Sequence, residues 1–271
     1  MSVIAGAEGG VRVVARRKPY LWVVYLALAV VVLAAAVSVA RNRRFGWDVV
    51  AHYFFSTAIL KGLLTTVELT VLCMLLGTVL GILLAVMRIS SSPVLRSVAS
   101  AYIWFFRGTP LLVQILFWFN LAALYPTLLG APTNSLISPF AAAVLALSLH
   151  EAAYMAEIVR SGIIGVPAGQ RLAALALGMR PARILRRIVL PQAMRTILPP
   201  TGNQTISMLK TSSLVSVIAL SELLYTAQSI YGINYQVIPL LIVASLWYLV
   251  VVSLLSVGQR YLEQRYGRGA Q

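Results

Sequence analysis

The chain has 271 residues, of which 60% are hydrophobic and 11% are charged, and its mean hydropathy is +0.87. A soluble domain is closer to half apolar and a quarter charged, so this composition predicts a polytopic membrane protein of the all-α class. The net charge of +15 would favour nucleic acid as a partner of a soluble protein. Here most bases flank apolar runs instead, so no nucleic-acid partner is expected. The single cysteine, Cys73, excludes an internal disulfide.

Six segments are long and apolar enough to cross a bilayer as helices, which takes roughly 20 residues each. An alternative for the first one is a cleaved signal peptide, but its apolar run exceeds the roughly 7–15 residues usual for such a signal. We therefore predict an uncleaved first span. The predicted spans cover about 20–40, 61–87, 98–125, 138–160, 196–222 and 237–258.

The distribution of lysine and arginine predicts the orientation. With the N-terminus inside, the inner segments carry sixteen of these residues and the outer segments four. The positive-inside rule therefore places both the 1–19 tail and the 259–271 tail in the cytoplasm. The cluster Arg41, Arg43 and Arg44 opposes this orientation but is outnumbered.

Two local patterns in the spans predict contacts between or along helices. Gly77 and Gly81 form a small-residue face, which is typical of close helix approach in membranes. Glu157 and Arg160 are spaced i,i+3 near the cytoplasmic end of the fourth span, so they are expected to form a local ion pair.

The loop after the fourth span has the pattern of two short helices. Residues 170–177 are rich in helix-forming Ala and Leu, and Gly178 follows where a left-handed residue would end that helix. Pro181 suits the first turn of a second helix, and Pro191 is predicted to end it. In this second helix an apolar stripe is predicted opposite a cationic face. The stripe contains Ile184, Leu185, Ile188 and Val189, and the face contains Arg183, Arg186 and Arg187.

Two interpretations of this basic segment follow from its physical chemistry. It is an amphipathic hairpin that lies on anionic lipid headgroups. Alternatively, the small side chains of Ala173, Ala174 and Ala176 let its first helix approach a protein partner closely.

The same residues resemble the EAA loop of ABC importer permeases, although Leu172 stands where that family usually has Glu. The matching positions are Ala173, Ala174, Gly178, Ile188, Leu190 and Pro191. Other stretches are similar to the polar amino acid subgroup of these permeases, with His150 where Asn is common and Ala152 where Gly is common. These stretches are 62–70, 107–114, 152–158, 190–193 and 209–214.

The resemblance implies a five-span permease domain over 60–258, preceded by one added N-terminal helix. It also implies that the coupling loop 165–191 contacts two copies of an ATPase subunit, which bind ATP and Mg, so this chain needs no cofactor or catalytic residue. The other implied partners are a second permease or a copy of this chain, an extracytoplasmic solute-binding protein and an amino acid, glutamate or another charged one. The implied coupling residues are Gln170, Ala173, Ala174, Gly178, Ile188, Leu190 and Pro191.

Polar side chains inside the spans are candidates for a substrate pathway, because an ionisable group at bilayer depth is costly. On a helix, Asn203, Ser207 and Lys210 share one face, which must meet protein or water. Pro199, Pro200 and Gly202 are predicted to break the start of this fifth span. Polar packing between helices is the alternative for each group. The candidates are Glu68, His150, Glu151, Asn203, Ser207 and Lys210.

Other function classes fit the residues less well. The phosphate-loop motif of ATPases is absent, and no nucleophile–base pair indicates an intramembrane enzyme. The stretch from His150 to Tyr154 lacks the second histidine of a zinc-protease helix, so no metal site is predicted. The main rival is a secondary transporter that couples amino acid uptake to H⁺ or Na⁺ through Glu68, His150 and Glu151.

Overall fold

The computed structural model describes residues 20–266. The predicted 1–19 tail and the last five residues of the 259–271 tail lie outside the described residues. The chain forms two compact units, which meet in sequence at Phe45 and Gly46. The first unit contains α1 (Tyr20–Arg41) and a 3-10 turn at Arg43–Phe45. Helix α1 has no charged residue before Arg41, and its length and hydropathy are sufficient for a membrane span, as predicted for 20–40.

The second unit is helical except for one short hairpin. Three of its helices could each cross a membrane, and two bent helix pairs raise the possible spans of the described chain from four to six. In chain order its elements are α2 (Trp47–Phe54), α3 (Thr57–Ile89), α4 (Pro93–Gly108), α5 (Leu111–Phe119), α6 (Leu121–Leu124), β1 (Thr127–Leu128), β2 (Ala131–Pro132), α7 (Thr133–Leu136), α8 (Pro139–Ile164), α9 (Ala168–Ala176), α10 (Pro181–Ile184), α11 (Leu190–Thr211), α12 (Leu223–Asn234) and α13 (Val237–Tyr266).

Helices α3 and α8 form the centre of the second unit. A Cβ on Gly77 would lie 2.8 Å from the Cβ of Glu151, and one on Gly81 would lie 2.6 Å from the Cβ of Met155. Two glycines spaced four apart therefore let the two helices touch along their backbones, as predicted. Cys73 lies one turn before Gly77 and is fully buried in the same core.

The third predicted span, 98–125, is not one straight helix. Helices α4 and α5 meet at an angle of 100°. Pro110 has no N–H to continue the ladder, and it holds Thr109 in an extended conformation. The Gln114 side chain stabilises the bend, because its Nε2 donates to the carbonyls of Phe106 (3.0 Å) and Thr109 (3.1 Å). A predicted span thus becomes an L-shaped pair.

The fifth predicted span breaks at its end and not at its start. Helix α11 runs through Pro199 and Pro200 without interruption, so the predicted break there is wrong. Gln259 Nε2 of α13 donates to the carbonyl of Pro199 at 2.7 Å. The helix instead gives way to a 3-10 segment, Ser212–Ile218, and a bend of 43° precedes α12.

A small hairpin between α6 and α7 was not predicted. Thr127 pairs with Pro132, and Leu128 pairs with Ala131. Its tip contains Leu129 and Gly130, both with positive φ. The buried Thr133 hydroxyl donates to the carbonyl of Tyr125 and closes the hairpin. Leu129 is 95% exposed at the tip.

Candidate functional site

Residues 165–191 connect α8 to α11 and include the first two residues of α11. They are referred to below as the coupling hairpin. Its first helix, α9, ends in a Schellman turn. Gly178 has φ of 73°, as predicted, and its N–H donates to the carbonyl of Leu175 at 2.9 Å. The N–H of Met179 reaches the carbonyl of Ala174 at 3.1 Å. This turn reverses the chain and directs α10 back toward the bundle.

The second helix of the coupling hairpin does not end at Pro191, contrary to the prediction. A π turn at Leu185–Val189 joins α10 to α11, and the N–H of Leu190 donates to the carbonyl of Leu185. A proline ring normally clashes with the carbonyl four residues earlier, and the wider π turn relieves that clash. Leu185, which was predicted to lie on the apolar stripe, is 45% exposed. The second helix of the coupling hairpin and the membrane span that follows it are therefore one continuous helix.

The inner face of the coupling hairpin packs on the rest of the second unit. Ala174 and Ile184 are buried in a cluster with Val159 of α8 and Ile197 of α11. The Arg171 guanidinium donates to the carbonyl of Ile163, and Gln192 Nε2 donates to Gln170 Oε1 at 2.9 Å. Ala174 consequently faces its own chain, whereas the small-residue pattern predicted contact with a partner. Displacing the coupling hairpin would displace α8 and α11 with it.

The outer face of the coupling hairpin is apolar at α9. Leu172 is 65% exposed, Leu175 is 51% exposed, and Leu177 is 81% exposed. Leu172 and Leu175 are one helical turn apart, so they share an exposed apolar face of the kind that marks a protein interface. Among the predicted coupling residues, Ala174 is buried and Ile188 is half-buried. The exposed ones are Gln170, Ala173, Gly178, Leu190 and Pro191.

A second polar region lies in the middle of α8. Glu151 is only 2% exposed, and its Oε2 accepts a hydrogen bond from Gln204 Nε2 of α11 at 3.2 Å. Its other oxygen has no hydrogen-bond partner among the described residues, and the same holds for His150 Nδ1. The centres of the His150 and Tyr154 rings are 5.1 Å apart. The Cζ atom of Arg107, on α4, lies 5.2 Å from the centre of the Tyr154 ring. The last turn of α4 thus places a cation against the polar turn of α8.

The remaining predicted pathway residues do not join this region. Glu68 is exposed and lies nine residues before Gly77, the α3 residue that touches Glu151, or about 13 Å along the helix. Asn203 and Lys210 are exposed on α11, and Ser207 between them is half-buried. They share one helical face, as predicted, because α11 is continuous over this range. In the described part of the chain Asn203 and Lys210 are exposed, so this face is open to a partner or to water.

Glu222 is a buried carboxylate that sequence reasoning missed. It is fully buried at the N-cap of α12 and accepts the N–H of Tyr225 at 2.7 Å. Hydroxyls from two other helices donate to its Oε2: Thr66 at 3.3 Å and Tyr248 at 2.8 Å. The available signal was an acidic residue directly before an apolar helical run, which is typical of an N-cap. Among residues 20–266, no group of three or more His, Cys, Asp or Glu side chains could hold a metal ion.

Glu157 pairs with two arginines near the end of α8 that is predicted to face the cytoplasm. Arg160 Nη2 lies 2.8 Å from its carboxylate, which confirms the predicted ion pair. Arg88 of α3 approaches the other oxygen at 3.9 Å. The contact between Arg88 and Glu157 therefore links the ends of α3 and α8.

Comparisons with known proteins agree with this architecture. Residues 77–268 match the family described as "Binding-protein-dependent transport system inner membrane component". The chain is 48% identical to the arginine transport system permease protein ArgU of Corynebacterium glutamicum, over 94% of this chain and 82% of that protein. It is 38% identical to the L-cystine transport system permease protein TcyB of Bacillus subtilis, over 82% of this chain and 92% of that protein.

Solved structures share the fold. One is described as an amino acid ABC transporter with histidines, and it is 36% identical with a TM-score of 0.72, over 79% of this chain and 97% of that one. A chain of the MetNI methionine ABC transporter, at 21% identity and a TM-score of 0.62 over 77% of this chain and 96% of that one, shows the fold alone. The bent helix pairs, the coupling hairpin and these matches together place the chain in the family of binding-protein-dependent transport system inner membrane components, as a multi-pass permease subunit of an ABC importer similar to those for amino acids.

Proposed function

We propose that the chain is the permease of an ATP-driven importer for polar amino acids, and that basic amino acids are its substrates. One observation carries the ATP-driven mechanism: the coupling hairpin packs on α8 and α11 while Leu172, Leu175 and Leu177 remain exposed. Similarity to ArgU, and to the arginine permease ArtQ of Bacillus subtilis at 37% identity, supports the substrate class.

The partners follow from this role. Two copies of an ATPase subunit, which bind ATP and Mg, grip the coupling hairpins of this chain and of a second permease or a copy of itself. A solute-binding protein delivers the amino acid at the opposite side. When the ATPases close on ATP, each coupling hairpin moves, and the continuous helix through the π turn carries that motion into α11. The spans then alternate between inward-open and outward-open arrangements.

The substrate pathway is proposed to lie along α8 and α11. Glu151 offers an oxygen without a partner in the described chain, and His150 offers an unpartnered nitrogen beside it. The exposed face of Asn203, Ser207 and Lys210 borders water between the two permeases. Glu68, also exposed, is a second carboxylate for a cationic substrate. Such buried or water-facing polar groups bind ions in the membrane because lipid offers no alternative partners.

The membrane is proposed to be the bacterial cytoplasmic membrane, with both termini and the coupling hairpin in the cytoplasm. The excess of arginine in the 160–195 region supports this orientation.

The docking proposal is tested by Leu175→Glu, with Leu129→Glu as the matched control. Both leucines are exposed, so neither substitution disturbs a core. We expect Leu175→Glu to abolish copurification of the ATPase subunit and ATP-dependent uptake of radiolabelled arginine into proteoliposomes. Leu129→Glu should retain ATPase binding. Normal ATPase binding by Leu175→Glu would show that the coupling hairpin is not the docking surface.

Coupling to ATP and coupling to an ion gradient are separated by a second measurement. Uptake in proteoliposomes with binding protein and enclosed ATP should persist when ionophores collapse the H⁺ and Na⁺ gradients. Uptake that stops with the gradient while ATP remains would favour the secondary-transporter alternative through Glu68, His150 and Glu151.

A further inference from the structure

The coupling hairpin belongs to a segment without acidic residues. No Asp or Glu occurs between residues 158 and 221, whereas this segment has seven arginines and Lys210. The carboxylate directly before it, Glu157, already pairs with Arg88 and Arg160. The positive charge of the segment is therefore not neutralised from within it.

Three of these arginines gather on one surface. Arg183, Arg186 and Arg187 are exposed and line a shallow cavity of about 440 Å³ together with Ala182. Within the described chain, both salt bridges involve Glu157, so these three guanidinium groups have no carboxylate partner there. We call this surface the arginine face. It lies on the outer side of the helix whose inner side buries Ile184 and Val189.

The arginine face lies beyond the ends of the membrane helices. A Cβ on Gly162, two residues before the end of α8, would overlap the Ile197 side chain, so Ile197 marks that end on α11. Arg187 is ten residues further out on the same continuous helix, or about 15 Å. A lipid headgroup layer is only about 6 Å thick on each side of the hydrocarbon core. With the orientation proposed above, this distance favours a position of the arginine face past the headgroups, in water.

We propose that the arginine face binds an acidic patch on the ATPase subunit, beside the apolar contact made by Leu172 and Leu175. This inference rests on the proposed function and specifies the chemistry of the partner surface. Guanidinium groups favour carboxylates because they bind them in bidentate geometry. Leu172 adds to the argument, since the position supplies no carboxylate of its own and leaves every charge on the coupling hairpin positive.

The experiment measures the Kd of the detergent-solubilised permease for the purified ATPase subunit at low and high salt. The test variant is the triple Arg183→Gln, Arg186→Gln, Arg187→Gln. The matched control removes three arginines elsewhere, by Arg41→Gln, Arg43→Gln, Arg44→Gln. We expect the test variant to bind at least tenfold more weakly at low salt and to lose most of its salt dependence, because interfacial ion pairs are screened by salt. The control should match the wild type.

A Lys triple at the same three positions identifies the charge effect. It retains the positive charge, so we expect binding between that of the wild type and that of the Gln triple. Wild-type Kd and salt dependence in the Gln triple would overturn the inference. The inference also fails if the Gln triple binds the ATPase normally but no longer responds to anionic phospholipid in vesicles, since the arginine face would then bind lipid.

Failure of this inference is distinguishable from failure of the proposed function. If Leu175→Glu abolishes ATPase binding and the Gln triple does not, docking through the coupling hairpin is supported and the electrostatic contact is contradicted. If neither variant affects binding, both the docking proposal and the electrostatic inference are contradicted.

Discussion

At the scale of single residues, the structure depends on polar side chains that replace missing backbone partners. Glu222 satisfies the start of α12 and receives hydroxyls from Thr66 of α3 and Tyr248 of α13. Gln259 of α13 makes a different contact with α11, where it donates to the carbonyl of Pro199. Each of these residues joins helices that are distant in sequence, because a buried polar group needs a partner wherever it can find one.

Glu222→Ala should lower the stability of the solubilised protein by about 2–4 kcal/mol, because it leaves the Tyr248 hydroxyl and the Tyr225 N–H unpaired. The measurement is thermal unfolding in detergent. Glu68→Ala is the matched control, since its carboxylate is exposed in a span. Equal changes in Tm for the two variants would contradict the role of Glu222.

Gly202→Ala should be destabilising by about 1–3 kcal/mol, because its Cβ would overlap the Gln259 carboxamide. Gly258→Ala, which meets open space, should be nearly neutral. The double variant Gly202→Ala, Gln259→Ala should lose less stability than the sum of the single variants. Strict additivity of the measured unfolding free energies would show that the two side chains do not compete for one site.

At the scale of elements, the coupling hairpin is built from one sharp turn and one unusual helical turn. The Schellman turn at Gly178 reverses the chain, and the π turn before Leu190 lets the helix continue through Pro191. The Schellman turn forms the hairpin. The π turn makes the second helix of the hairpin continuous with a membrane span, whereas a helix that ended at Pro191 would be separate from that span.

Gly178→Ala should destabilise the coupling hairpin by roughly 1 kcal/mol, since a Cβ at positive φ is strained even where space is open. Gly169→Ala in α9 also meets open space, lies in a helix, and should be neutral or slightly stabilising. Limited proteolysis of the hairpin measures the difference. Equal cleavage rates for the two variants would indicate that the turn does not limit hairpin stability.

At the scale of the whole molecule, the distribution of charge favours the proposed orientation, while helix contacts set the shape of the second unit. The proposed orientation predicts that Leu177→Cys reacts with a membrane-impermeant thiol reagent only from the cytoplasmic side. Leu129→Cys, in the hairpin between α6 and α7, should react only from the outside. Both variants are made in a Cys73→Ala background and tested in intact cells and inverted vesicles. Labelling of Leu177→Cys in intact cells would reverse the orientation.

Features that depend on local chemistry could be predicted from the sequence. Apolar length identified the regions of four helices that could each span a membrane and of two bent helix pairs. The spacing of Gly77 and Gly81 predicted close helix contact, and Gly178 was predicted to be left-handed. These follow from the number of apolar residues needed to cross hydrocarbon and from the conformations open to a residue without a Cβ.

The structural effect of each proline depends on the contacts that the folded chain makes around it. Pro110 bends its span by 100°, whereas Pro199 and Pro200 lie inside an unbroken helix and Pro191 follows a π turn. All four remove one backbone donor, so the local cost is similar. At the bend, Gln114 Nε2 replaces the donor that Pro110 lacks, because it reaches the carbonyl of Phe106. At Pro199 the contact joins two helices, since Gln259, sixty residues away on α13, donates to the Pro199 carbonyl. The same reason hid Glu222, whose partners lie on α3 and α13.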